Sequence, residues 1–126
     1  MDAIDCLMTR RSIRRYGSEP LTDRQVEQIA KAAFQSPSAF DCRPWEFAAI
    51  RDRDLLRRLE QAMPHCEMLA EAAFGFLVCG DPSREQVPGF WTQDCSAASH
   101  NVQLAAHALG LGACWIGLHP VEEREA

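Results

Sequence analysis

The chain has no apolar run long enough to cross a bilayer as a helix, and no charged, apolar, cleavable leader pattern at its N-terminus. These absences give the expectation of a soluble, cytoplasmic protein. Basic excess is also missing: 13 Lys and Arg stand against 18 Asp and Glu, a formal charge of −5. That balance argues against broad binding to nucleic acid, which calls for a basic face. The six cysteines, at 6, 42, 66, 79, 95 and 114, form no C-x-x-C pair, and most lie among apolar neighbours. They read as reduced core residues in place of a disulfide framework. Cys66, Cys95, His65 and His100 match no zinc-ligand spacing. His100 and His107, seven apart, share a helical face. No G-x-G-x-x-G fingerprint, Ser-His-Asp triad, carboxylate pair or metal quartet can be assembled, and no repeat, linker or low-complexity stretch divides the chain.

What remains is the size and pattern of one domain, spanning 1–126. Residues 3–10 predict a short helix with Ile4, Leu7 and Met8 on one side. Arg10 and Arg11 at its end would complement the helix dipole. The next helix is marked by Thr22 as N-cap, Gln25 three positions on, and a Leu21–Val26 staple. Its apolar face runs through Ile29, Ala33 and Phe34 until Ser36-Pro37 stops it. An irregular loop over 37–44 leads to a strand at 46–51. A charged amphipathic helix at 53–62 turns Leu55, Leu56 and Leu59 inward, and a shorter helix covers 65–72. Phe74 to Cys79 reads as a buried central strand. A long helix of small residues runs from Thr92 to Leu109, with Asp94 its sole acidic or basic residue apart from histidines. Such a helix suits a central position and packing against a second subunit. Gly110 and Gly112 end it, and 113–116 predicts a further strand. Alternating helices and strands indicate a layered α/β or α+β domain.

The charge is unevenly placed. Arg10, Arg11, Arg14 and Arg15 fall within six residues, with Ser12 among them. Guanidinium forks and a serine hydroxyl suit a compact anion, and phosphate above all. Helix capping accounts for the first two arginines but not for Arg14 and Arg15.

Three segments in order, R-R-S-x-R from Arg10, P-S-A-x(4)-P-W-E-F from Pro37, and Q-D-C-S-A-A from Gln93 leading to G-L-G-A-x-W-I-G, together resemble the nitroreductase family of flavin-dependent oxidoreductases. The resemblance covers essentially the whole chain. It implies an α+β fold with a mixed sheet flanked by helices, a homodimer, and one FMN at each end of the dimer interface. It matches Arg10, Ser12 and Arg14, with Arg11 nearby, to contacts with the flavin phosphate and ribityl chain. Pro37, Ser38 and Ala39 match a loop that the partner subunit lays over the flavin. Trp115, Ile116 and Gly117 match the segment approaching the isoalloxazine ring. NADH or NADPH would deliver a hydride to the flavin and give way to a nitroaromatic, quinone or similar acceptor, with no dedicated Rossmann site. The cofactor would carry the chemistry while the protein binds, orients and tunes it. Trp45, Phe40 or Trp115 could wall the ring, with Trp45 read first as core.

Two departures stand out. Asp41 and Arg43 occupy positions where many relatives carry Asn and Gln, and the acid and base here can pair. Relatives also continue past residue 126 with a last strand and often a basic phosphate ligand, so the acid-rich end after Pro120 reads as the start of an interrupted helix in a truncated chain. The competing expectations are a flavin-binding or inactive scaffold of the same fold, and an arginine patch for nucleic acid or an acidic partner.

Overall fold

A computed structural model describes residues 1–125. Helix α1 (Ala3–Thr9) starts at Asp2, whose carboxylate accepts from the Asp5 N–H at 2.9 Å. Helix α2 (Asp23–Phe34) carries the expected capping box: Thr22 Oγ1 accepts from the Gln25 N–H, and Gln25 Oε1 accepts from the Thr22 N–H. Strand β1 (Trp45–Ile50) follows, then α3 (Arg53–Ala62), capped by Asp52 through the Leu55 N–H. Strand β2 (Gly75–Gly80) pairs antiparallel with β1, Trp45 opposite Gly80 and Ile50 opposite Gly75. Helix α4 (Trp91–Ala108) runs for 18 residues, and a short α5 (Glu122–Glu125) closes the described chain.

The core sits where α4 meets the sheet. Trp45, Cys95 and Ala98 are buried together, with Phe47, Val78 and Trp91 packed against them. Ala33 of α2 and Ala98 of α4 are both fully buried, and small residues at such positions let the two helices pack closely. Asn101 ties them further, donating from Nδ2 to the Ala32 carbonyl at 3.2 Å and to Ser36 Oγ at 2.9 Å. It thereby adds a second donor to a carbonyl of the last turn of α2, which also accepts from the Gln35 N–H at 3.3 Å. The α+β class holds, as does the core role of Trp45.

Helix α1 forms as expected; Ile4, Leu7 and Met8 are 67%, 52% and 70% exposed, while Cys6 is its buried residue and donates its thiol to the Leu104 carbonyl of α4. Helix α1 thus lies on α4 by a narrow edge, and its broad apolar side is uncovered within the chain. Several other expectations need correction. In α3 only Leu56 is fully buried, whereas Leu55 is exposed. Residues 65–72 form a short 3₁₀ turn at Glu67–Ala70. The strand at 74–79 is not a buried central one: β2 has β1 as its one partner among the described residues, and Cys79 is exposed. The predicted strand at 113–116 reduces to one parallel bridge between Ser12 and Ala113. The mixed sheet of the resemblance is therefore present here as an antiparallel pair and that bridge. All six cysteines are free, three of them buried.

Candidate functional site

The single bridge matters because of what it joins. The Ile13 N–H donates to the Ala113 carbonyl at 2.9 Å, and Ser12 lies opposite Ala113 in parallel sense. Two residues further along each segment come Arg14 and Trp115, so the bridge brings the segment with the arginine cluster to the one that leads into 115–117. Gly112 permits this approach: a Cβ there would lie 2.8 Å from Ile13 Cγ2. Trp115 is 47% exposed, which leaves much of its indole on the surface. The Gly117 carbonyl is held from behind by Arg124, whose Nη1 donates to it at 2.7 Å while Nη2 donates to the Pro64 carbonyl.

The four arginines divide their work. Arg11 folds back on its own helix, donating to the Met8 and Arg10 carbonyls at 3.1 and 2.8 Å, which is a capping role for the end of α1. Arg10 donates from Nη1 to Gln103 Oε1 at 3.2 Å, which leaves most of its fork uncommitted. Arg14 and Arg15 are exposed, and among the described residues none of the four forms a salt bridge. This is a set of cations without carboxylates. Tyr16 adjoins it, its phenol pushed up to about 12 by burial and by Cys114, with Arg14 opposing. It therefore stays neutral at physiological pH.

The Pro37–Ala39 loop lies elsewhere. Asp94, in the first turn of α4, accepts from the Ala39 N–H through Oδ1 at 3.0 Å. Ser38 Oγ accepts from the Arg43 N–H at 3.0 Å, and Arg43 Nε donates to Asp41 Oδ1 at 2.7 Å. The expected acid–base pair thus forms, and that hydrogen bond holds the Asp41 carboxyl below its usual range. Phe40, Asp41 and Arg43 all take left-handed φ values of 56°, 52° and 48°, so the loop is backbone-strained and is braced by these bonds. Phe40 stands 61% exposed at its tip, edge-on to Phe90. Trp45 lies in the core at 4% exposure and cannot face a ligand; of the three aromatics considered for the ring wall, Phe40 and Trp115 are exposed.

Within one chain, then, the bridge joins the segment of Arg10, Ser12 and Arg14 to the segment that leads into Trp115, Ile116 and Gly117, whereas the loop of Pro37, Ser38 and Ala39 is bonded to α4. The loop is fastened to α4 at Asp94 and Arg10 at Gln103. Those anchors are nine residue steps apart on the helix, about 13.5 Å along the axis. Sequence reasoning missed both anchors. The signal for Asp94 was its isolation as the one charged side chain in a helix of small residues; nothing local marked Gln103.

A family model described as the nitroreductase family matches residues 7–73 and 63–124. A protein of Methanothermobacter thermautotrophicus, named as a candidate NADH dehydrogenase/NAD(P)H nitroreductase, is 45% identical over 124 residues. That match covers 98% of this chain but 65% of the relative, so the chain spans less than two thirds of its length. A crystal structure from Bacteroides thetaiotaomicron with the same kind of name superposes with a TM-score of 0.92 at 38% identity, over 97% of this chain and 71% of that one. A candidate nitroreductase from Desulfovibrio desulfuricans, solved in complex with FMN, matches with a TM-score of 0.83 at 33% identity, over 90% and 67% of the two chains. The chain belongs to the nitroreductase family.

Proposed function

We propose that this chain forms the FMN-binding part of a cytoplasmic NAD(P)H-dependent oxidoreductase that works as a homodimer and reduces a nitroaromatic, quinone or similar acceptor. The observation that carries the reading is a set of arginines with no carboxylate partner among the described residues, on a segment that the Ser12–Ala113 bridge joins to the one leading into the exposed Trp115. Those residues fit FMN. Arg10 and Arg14 have free guanidinium donors for a phosphate, Ser12 has a hydroxyl without a partner among the described residues, and Trp115 offers an apolar face. FMN, when bound, supplies the redox chemistry. This chain's own work is to hold the phosphate end, fix the 115–117 backbone through Arg124, and shield the site from water.

Support for two copies comes from two features. Ile4, Leu7 and Met8 leave an apolar side of α1 uncovered. The loop and the arginines also lie toward opposite ends of α4. A two-fold axis that pairs two α4 helices antiparallel would carry the Pro37–Ala39 loop of one copy to the arginines of the other.

The test begins with colour: purified protein is expected to be yellow and to release FMN on denaturation. Arg10→Ala and Arg14→Ala should each weaken FMN binding about tenfold or more, the loss of one or two charge-assisted hydrogen bonds, with Arg58→Ala unchanged. Equal retention in all three variants would refute the phosphate assignment. Bleaching of the flavin bands by NADH or NADPH supports the oxidoreductase. FMN binding with no bleaching by either would assign the chain to a flavin-binding scaffold instead.

A further inference from the structure

Helix α4 is made mostly of small and apolar residues, and two of its polar side chains are buried: Asp94 at 6% exposure and Gln103 at 7%. A buried polar group is costly unless it is paired, so an apolar residue at either position would pack the helix more cheaply. Neither side chain serves the helix backbone. Asp94 Oδ1 accepts from the Ala39 N–H, at the cost of leaving Oδ2 buried with no partner among the described residues. Gln103 Oε1 accepts from Arg10 Nη1. Each reaches out of the helix to one half of the site.

We propose that Asp94 and Gln103 are the positioning residues of the site: Asp94 seats the covering loop, Gln103 aims Arg10, and α4 between them sets the separation of the two halves. This rests on the FMN reading above. A straight helix is stiff, so residues 39 and 10 are held at a fixed distance, and two copies related by a two-fold axis present matched halves at both ends. The pairing also explains why a polar side chain is kept here with one atom unmatched: one oxygen serves the loop amide, and the second is buried beside it.

The two roles separate experimentally because riboflavin lacks the phosphate that FMN carries. Purified protein and its variants are titrated with each flavin, and amide exchange is followed over residues 37–43. Gln103→Leu, near in volume, should weaken FMN about tenfold and leave riboflavin unchanged, since a misaimed Arg10 affects only phosphate. Asp94→Ala should weaken both flavins by the same factor and speed exchange in the loop about tenfold or more. Asp94→Asn keeps an acceptor oxygen for Ala39 and should stay within about twofold of the parent in all three measurements. A Gln103→Leu variant that loses both flavins equally has only a packing defect, and the proposal falls. It falls equally if loop exchange is unmoved in Asp94→Ala, or if Asp94→Asn is as damaged as the alanine variant, which would leave only a helix-dipole role for the charge. Parent protein that binds neither flavin overturns the FMN reading itself and this inference with it. Parent protein that binds FMN while the variants behave as packing defects overturns the inference alone.

Discussion

Gly112→Ala would test how the site is held together. Gly112 is not in the left-handed region, so its value lies in closeness and not in backbone freedom. An added Cβ would lie 2.8 Å from Ile13 Cγ2 and 3.1 Å from Ile13 Cβ, where ordinary contact begins near 3.4 Å. The two segments must therefore part by about 0.6 Å, the difference between those distances. If the shift passes fully to the bridge, the Ile13 N–H···O=C Ala113 bond lengthens from 2.9 Å to about 3.5 Å, the limit of a useful hydrogen bond. Overpacking of this kind costs about 1–3 kcal/mol. For a domain of this size, a loss of about 2 kcal/mol lowers Tm by roughly 6–10 °C. FMN affinity should fall roughly tenfold as well, because Arg14 and Trp115 are displaced relative to each other. Thermal unfolding followed by circular dichroism reads the first effect and a flavin titration the second. Ile13→Ala, which removes the clashing Cγ2, should recover most of both losses in the double variant. The reasoning fails if Gly112→Ala melts with the parent protein, or if its cost is the same with Ala at 13.

Two further outcomes follow from packing and protonation. At Gly80 a Cβ would fall 2.2 Å from Trp91 Cε3, so Gly80→Ala should cost about 2–3 kcal/mol, most of it relieved in a Trp91→Leu background; equal denaturation midpoints for the two glycine backgrounds would contradict this. Burial, with help from Asp94, Cys79 and Glu85, pushes the Cys95 thiol up to about 11 from 9.0. The folded state thus keeps a proton that the unfolded chain loses, so stability is level below about pH 9 and falls between pH 9 and 11. Urea midpoints across that range check the sign, and Cys95→Ala should flatten the slope; a midpoint that rises with pH would be inconsistent with the buried thiol.

Legibility followed range. The capping box at Thr22 and Gln25 was plain because both partners lie within one turn. The Asp41–Arg43 pair was plain for the same reason, two residues apart on one strained loop. Which side of helix α1 is covered was not legible, because the pattern marks Ile4, Leu7 and Met8 while the one buried residue is Cys6, set by its contact with α4. The strand at 113–116 was overstated because β-branched and aromatic character says nothing about how many partners a segment will find. Phe74 to Cys79 reads as buried for its composition, yet a strand with one neighbour keeps an open edge.

Local chemistry in the sequence determined the helices, the arginine cluster, its preference for an anion and the motifs that carry the family likeness. Those depend on neighbours within a few residues, where capping, periodicity and charge density act directly. Only the tertiary structure decided which motifs share a site in one chain. It joined residues 10–14 to 113–117 through one parallel bridge and left the Pro37 loop toward the other end of α4. It also paired Asp94 and Gln103, buried polar residues, with the Ala39 N–H and with Arg10. Such contacts link positions 55 and 93 apart in sequence, and folding alone brings them together.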